Sequence, residues 1–320
     1  NCKIGDRVVA LCGWGGMAEQ VSVKASHVFT IPAELDLLDA SICMYTFGTA
    51  FFALKNKAQL KAGQTVLILG AAGGVGSAAI MLAKLMGAKV IAAASNNEKL
   101  DYCKLIGADE TINYTSENLR QKIKEITSNK GVEVVFDTIG GPLAEESLKS
   151  LSWNGQYLII GFASGIIPQL PFNLALLKGS SVHGIFWGAF AEKEPYSNKE
   201  NFIQIIQWIL QGILKQHIHQ LYSLEDAPKA IADMIQRRIN GKAVIQIKAE
   251  PISTNRKSYT TISKEKNNNQ NSTNDAVGKL IINGKDTIHQ YIGNTIGPGK
   301  WMIITQKMIN EFASTTQDNQ

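Results

Sequence analysis

Apolar and polar positions divide the chain into runs of two periods. From about Leu38 onward, apolar runs of strand length alternate with segments of helical spacing, the pattern of βαβ units on a parallel sheet. "TVLILG" (65–70), "KVIAAA" (89–94), "VEVVFD" (132–137), "QYLIIG" (156–161) and "SVHGIFW" (181–187) read as strands. Between them, "SAAIMLAKLMG" stopped at Gly87, "EKLDYCKLIG" capped by Gly107 and "ENLRQKIKEITS" read as helices. Strands of this kind joined by crossover helices, a doubly wound parallel Rossmann sheet of the α/β class, is the architecture this predicts.

After Ser197, Phe202, Ile203, Ile205, Ile206, Ile209, Leu210, Ile213 and Leu214 follow a helical period and predict a long amphipathic helix. Ser223 and Asp226 have capping-box spacing for a helix through "APKAIADMIQRR", with Gly241 ending it and "KAVIQI" as a closing strand. The first 30 residues alternate apolar and polar with glycine punctuation, as antiparallel β structure does. Residues 251–275 carry almost no apolar side chains, which marks a linker, because such a segment cannot bury enough surface to offset its ordering entropy. Apolar residues return in 276–320, as expected of a second module.

Composition narrows the function classes. The balance of 45% hydrophobic and 18% charged residues is that of a soluble globular protein. A net charge of +5 without a run of five basic residues argues against a nucleic-acid surface. The longest nearly uncharged stretch, 65–94, is interrupted by Lys84, Lys89 and five glycines, so no membrane span is expected. Four cysteines without a C-x-x-C pair suit a reducing, cytoplasmic setting. The chain opens without Met at what looks like a strand approach, so the expectation is a missing native N-terminus.

The first candidate chemistry is "LGAAGGVGSAAI", where a strand turns into a helix. Ala71-x-Gly73-x-x-Gly76 is a dinucleotide fingerprint with Ala in the first glycine slot. Gly73 and Gly74 lack the Cβ that would hold a pyrophosphate away, the following helix offers N–H groups and its positive dipole end, and Gly76 lets that helix pack on the strand. Where a NAD site places an acid, this chain has "AAASNNEK". Ser95, Asn96 and Asn97 are neutral and Lys99 is cationic, groups that accept a 2′-phosphate, so the cofactor is expected to be NADPH. The competing reading has Ser95 capping the helix and Lys99 solvated.

These residues, with "GDRVVALCGWGGMAEQV", "TFGTAFFAL", "LIGADETINY", "VVFDTIGG", "GQYLIIGFASGIIPQLPFNLALLKGSSVHGIFWGAF" and "GKAVIQI" in the same order, resemble the zinc-independent quinone oxidoreductase group of the medium-chain dehydrogenase/reductase superfamily over residues 4–247. The resemblance implies a GroES-like β domain, truncated here to residues 1–37 and rejoined at 191–250, with an NADPH-binding Rossmann domain at 38–190 inserted in it. Gly73, Gly74, Val75 and Gly76 would hold the pyrophosphate. Ser95, Lys99 and Tyr114 would surround the adenosine phosphate, while Thr49, Gly161, Phe162 and Ala163 would approach the nicotinamide. It also implies a homodimer through the last strand, around 183–187. Where zinc-dependent relatives carry a ligand Cys, this chain has Tyr45, with Cys43 two residues early, so no metal is expected. Without that Lewis acid, hydride transfer is directed to an activated acceptor. No side chain is singled out as a catalytic acid of the reductase; Tyr45 and Trp187 are pocket candidates, or ordinary aromatic packing. His217 and His219 read as a solvated turn or strand start, and His183 as a core histidine.

Three functions are compatible with this reading: a quinone reductase, an enoyl-thioester (enoyl-CoA) reductase, and a non-catalytic crystallin-like or RNA-associated protein. Residues 276–320 resemble the start of MaoC-like hot-dog hydratases, which implies a catalytic Asp at Asp318, with its His beyond Gln320. That module would join a C=C reductase to an enoyl-CoA hydratase. The alternative is a short amphipathic helix at 306–313.

Overall fold

The computed structural model describes residues 2–215 and 217–247. The linker, the 276–320 module and Asp318 lie outside them. The described chain runs β1 (Val8–Ala10), β2 (Val28–Thr30), α1 (Leu37–Phe51), β3 (Thr65–Leu69), α2 (Gly74–Leu85), β4 (Lys89–Ala94), α3 (Asn97–Leu105), β5 (Glu110–Asn113) and α4 (Leu119–Ile126). It continues through β6 (Val132–Asp137), α5 (Pro142–Lys149), β7 (Leu151–Ile159), α6 (Phe172–Lys178), β8 (Ser181–Gly184), α7 (Trp187–Lys193), α8 (Pro195–Leu210), β9 (Ile218–Ser223), α9 (Ala227–Ile235) and β10 (Lys242–Gln246).

Six strands form one parallel sheet in the order β5-β4-β3-β6-β7-β8. Alternate residues of β3 explain its unbroken apolar sequence. Val66 and Ile68 join a core with residues of α1, α2 and α8, whereas Leu67 and Leu69 join one with Leu119, Ile123, Ala144 and Leu148. Both faces are covered, so both registers must be apolar. The strand order reverses between β3 and β6, the place where doubly wound folds open a ligand crevice at the strand carboxyl ends.

The first 30 residues contribute the antiparallel pair β1 and β2, and β9 pairs with β10 in parallel. A parallel bridge between Gly73 and Gly241 ties β10 to the turn after β3. The helical stretch Leu37–Lys57 is long and apolar enough to cross a membrane, yet Cys43, Phe47, Ala50, Phe51 and Leu54 within it are buried core residues.

Several boundaries differ from expectation: the apolar run 181–187 is strand only as far as Gly184, and Trp187 begins α7. Asp226 is itself the N-cap position of α9, and its backbone N–H donates to Ser223 Oγ at 3.2 Å, so the expected Ser223 cap is displaced into the preceding turn. The helix ends at Ile235, six residues before Gly241, because Arg237 takes φ +57° and breaks the helical path.

Candidate functional site

The turn leaving β3 is built on close backbone approach. Gly70 has φ +68°, and a Cβ there would run into Thr138 Oγ1, which donates to Leu69 O at 2.9 Å. A Cβ on Gly76 would overlap Gly70 O and stand 2.8 Å from Ala71 Cα, so Gly76 sets the contact of α2 with the strand. Gly73, the N-cap position of α2, is exposed and would meet only Gly70 O, at 3.3 Å. No side chain caps α2 and its first turn carries no acid. The exposed Gly73 thus brings the N-terminus of α2, with Gly74 and Val75 in its first turn, to the crevice in the form of an anion cradle.

A second group gathers at the ends of β4 and β5. Asn96 Oδ1 accepts from Lys99 N at 2.9 Å and caps α3, which leaves Ser95 free of that role. Lys99 Nζ donates to Ser95 Oγ at 3.4 Å, and the Tyr114 hydroxyl comes up beside the same Ser95. Burial, then the nearby Arg237 guanidinium, hold the Lys99 pKa below its ordinary value. Burial pushes the Tyr114 hydroxyl up, against Ser95 and Arg237. Ser95, Lys99 and Tyr114 therefore meet as expected, and Arg237 joins them from the turn after α9. Sequence reading missed Arg237, whose only signal was a basic pair before "INGK". Two cations held this close, one of them lowering the protonation of Lys99, invite an anion between them.

At the other end of the crevice, Asp137 closes β6. Its carboxylate accepts from Ile139 N at 2.7 Å, Gly140 N at 2.9 Å and Tyr157 Oη at 2.5 Å. Burial raises its pKa against those three donors. The Gly161–Ala163 segment lies over this turn, with Gly161 N donating to Asp137 O at 3.3 Å and Ala163 N to Thr138 O at 3.0 Å, while Phe162 packs on Gly140. Thr49 is buried and its Oγ1 donates to Tyr45 O at 2.7 Å, so its hydroxyl is engaged on its own helix.

The two aromatic candidates separate. Trp187 is 5% exposed, its Nε1–H donates to Asn198 Oδ1 at 3.1 Å, and a Cβ on Gly48 would strike its ring at 2.9 Å. It is a packing residue. Tyr45 is 61% exposed and stands edge-on to it, centroids 5.8 Å apart. His183 is half-exposed on the edge strand β8, 3.1 Å from Ser181 Oγ, rather than a core histidine. His217 immediately precedes β9, but it is half-buried against Tyr102 rather than solvated, and burial lowers its pKa. The residues near Tyr45 do not suit zinc. Cys43 Sγ is buried, 3.3 Å from Ala40 O, and burial, then Asp39, push its pKa up to about 12. The described residues contain no group of three or more His, Cys, Asp or Glu able to hold a metal.

The same fold recurs in known proteins. Residues 74–210 match the zinc-binding dehydrogenase family model. The chain is 40% identical to the quinone oxidoreductase-like protein 2 homolog of Nematostella vectensis, over 76% of this chain and 67% of that protein. It is 35% identical to quinone oxidoreductase-like protein 2 of Bos taurus, over 77% of this chain and 71% of that protein. Among solved structures, the Escherichia coli quinone oxidoreductase complexed with NADPH superimposes with a TM-score of 0.72 at 27% identity, covering 76% of each chain. The chain belongs to the quinone oxidoreductase group of the medium-chain dehydrogenase/reductase superfamily.

Proposed function

We propose that this chain carries the cofactor-binding machinery of an NADPH-dependent, zinc-independent reductase whose acceptor is a quinone. The observation that carries the reading is the group Ser95, Lys99, Tyr114 and Arg237, which offers two cations and two hydroxyls where a NAD site offers a carboxylate. The α2 cradle supplies the pyrophosphate end, as it does across dinucleotide folds.

When bound, NADPH supplies the hydride. The work left to the chain is orientation and exclusion of water. Arg237 and Lys99 fix the adenosine end, Gly73 and Gly76 set the depth of the pyrophosphate, and Gly161–Ala163, held by Asp137 and Thr138, supports the nicotinamide. Tyr45 offers an aromatic edge to a flat acceptor. Residues 1–37 and 191–247 belong with the catalytic domain, and the edge strand β8 is the pairing surface of a homodimer. The four free thiols suit a reducing, cytoplasmic compartment.

The deciding experiment follows nicotinamide absorbance with NADPH or NADH against a panel of benzoquinones, naphthoquinones and crotonyl-CoA. NADPH oxidation with quinones supports the assignment. Turnover of crotonyl-CoA alone replaces the acceptor with an enoyl thioester, and tight binding without turnover points to a non-catalytic protein.

A further inference from the structure

α4 and α5 pack together over the sheet face that carries Leu67 and Leu69, and a cavity of about 490 Å³ opens beside them. Along α4 it is lined by Asn118, Arg120, Gln121 and Lys124. None of its lining residues belongs to the crevice at the ends of β3, β4 and β6.

Arg120 is half-buried, its Nε is shut off from solvent, and that N–H meets no acceptor among the described residues. Lys124 shares its face of α4 one turn on, a spacing at which like charges repel. The ion pairs of this helix are made instead by Lys122, to Glu117 at 3.5 Å and Glu125 at 3.3 Å, and neither Arg120 nor Lys124 enters one among the described residues. A third cation comes from the end of α6, where Lys178 Nζ donates to the carbonyls of Lys149 and Leu151. Burial, then Arg120, then Lys124, lower its pKa, so the three charges feel one another.

The acids in the cavity wall are already engaged. Glu125 is held by Lys122 and accepts from Gln121 Nε2 at 3.2 Å, and Glu146 stands 3.2 Å from Lys149 Nζ. A guanidinium N–H without an acceptor and three cations without a counter-charge both raise the energy of the free protein. A phosphate group relieves both, because its oxygens match the guanidinium fork and its charge offsets the repulsion.

We propose that the cavity along α4 is a second anion site that takes a phosphate group, with Arg120 and Lys124 as its ligands and Lys178 adding its field. It uses no residue of the dinucleotide crevice and does not depend on that reading.

The test titrates inorganic phosphate and ribose 5-phosphate by calorimetry, at low ionic strength, into the full chain and its Arg120→Gln, Lys124→Gln, Glu146→Gln and Arg237→Gln variants. Arg120→Gln and Lys124→Gln are each expected to weaken binding by about tenfold, as loss of a charge-assisted contact does. Glu146→Gln removes an acid from the wall and should strengthen it. Arg237→Gln, which acts on the crevice, should leave it as in wild type. Lys124 is exposed, so Lys124→Gln keeps the test readable should Arg120→Gln fail to fold. Binding of both probes makes this a site for any phosphate, and binding of ribose 5-phosphate alone makes it a phosphomonoester site. Wild type that binds neither probe overturns the proposal, as does a loss that follows Arg237→Gln while Lys124→Gln binds like wild type.

Discussion

Arg237 Nη2 donates to the Ala163 carbonyl at 3.1 Å, linking the turn after α9 to the turn after β7 across 74 positions of sequence. The same guanidinium acts on Lys99 and Tyr114. One side chain therefore touches the proposed nicotinamide support and completes the proposed 2′-phosphate group. Arg237→Gln is expected to weaken NADPH binding by about tenfold, the scale of a lost charge-assisted contact, while NADH binding changes little. Dissociation constants for the two cofactors measure this, and an equal loss for both removes Arg237 from the 2′-phosphate group.

Ser95 offers the complementary test. A carboxylate there would pair with Lys99, whose Nζ stands 3.4 Å from Ser95 Oγ, and would repel a 2′-phosphate. Ser95→Asp should move preference from NADPH toward NADH, read as the ratio of kcat/KM for the two cofactors. A ratio like that of wild type counts against the site.

The sequence was readable where one physical constraint dominated. β3, β4 and β6 are buried on both faces, and their apolar runs name their own limits. β5 has no such run because only Ile112 within it is fully buried. The α2 cradle was legible because close approach leaves only glycine at Gly76. Arg237 was not, since its role depends on a positive φ and on a turn distant in sequence. Tyr45 and Trp187 could not be told apart before the structure, because spacing does not say which ring the neighbouring Gly48 receives.

The two outer glycines of the cradle should fail differently. At Gly76 an added methyl overlaps backbone that cannot retreat, so Gly76→Ala should lower stability by about 1–3 kcal/mol as overpacking does. At Gly73 the methyl meets Gly70 O at 3.3 Å and otherwise points at open space. Gly73→Ala should melt near wild type yet bind NADPH more weakly, because its methyl occupies the place of the diphosphate. Melting curves beside NADPH titrations separate the two.

β8 closes one edge of the sheet, bonded to β7 on one side, with Val182 41% exposed. Open edges template pairing with another strand. In a homodimer joined there, Val182→Glu places like charges against one another, and sedimentation velocity should show a shift from dimer to monomer. A monomeric wild type would dismiss the arrangement.

The Asp137 carboxylate sits buried between β6 and β7 with Tyr157 Oη at 2.5 Å. Asp137→Ala strands that hydroxyl and two backbone N–H groups, a loss of about 3 kcal/mol or more. Asp137→Asn keeps the acceptor for both N–H groups and should cost less. Burial raises the native carboxyl above the usual range, so the folded chain holds the Asp137 proton more tightly than the unfolded chain. Protonation therefore favours the fold. The contribution is fully present below the unfolded carboxyl pKa of about 3.9 and is lost as pH rises through the raised native value. Asp137→Asn carries no such titration. Its melting temperature relative to wild type should climb across that window and then level off. A difference that stays flat from acid to neutral pH would mean that the three donors cancel the desolvation at this carboxylate.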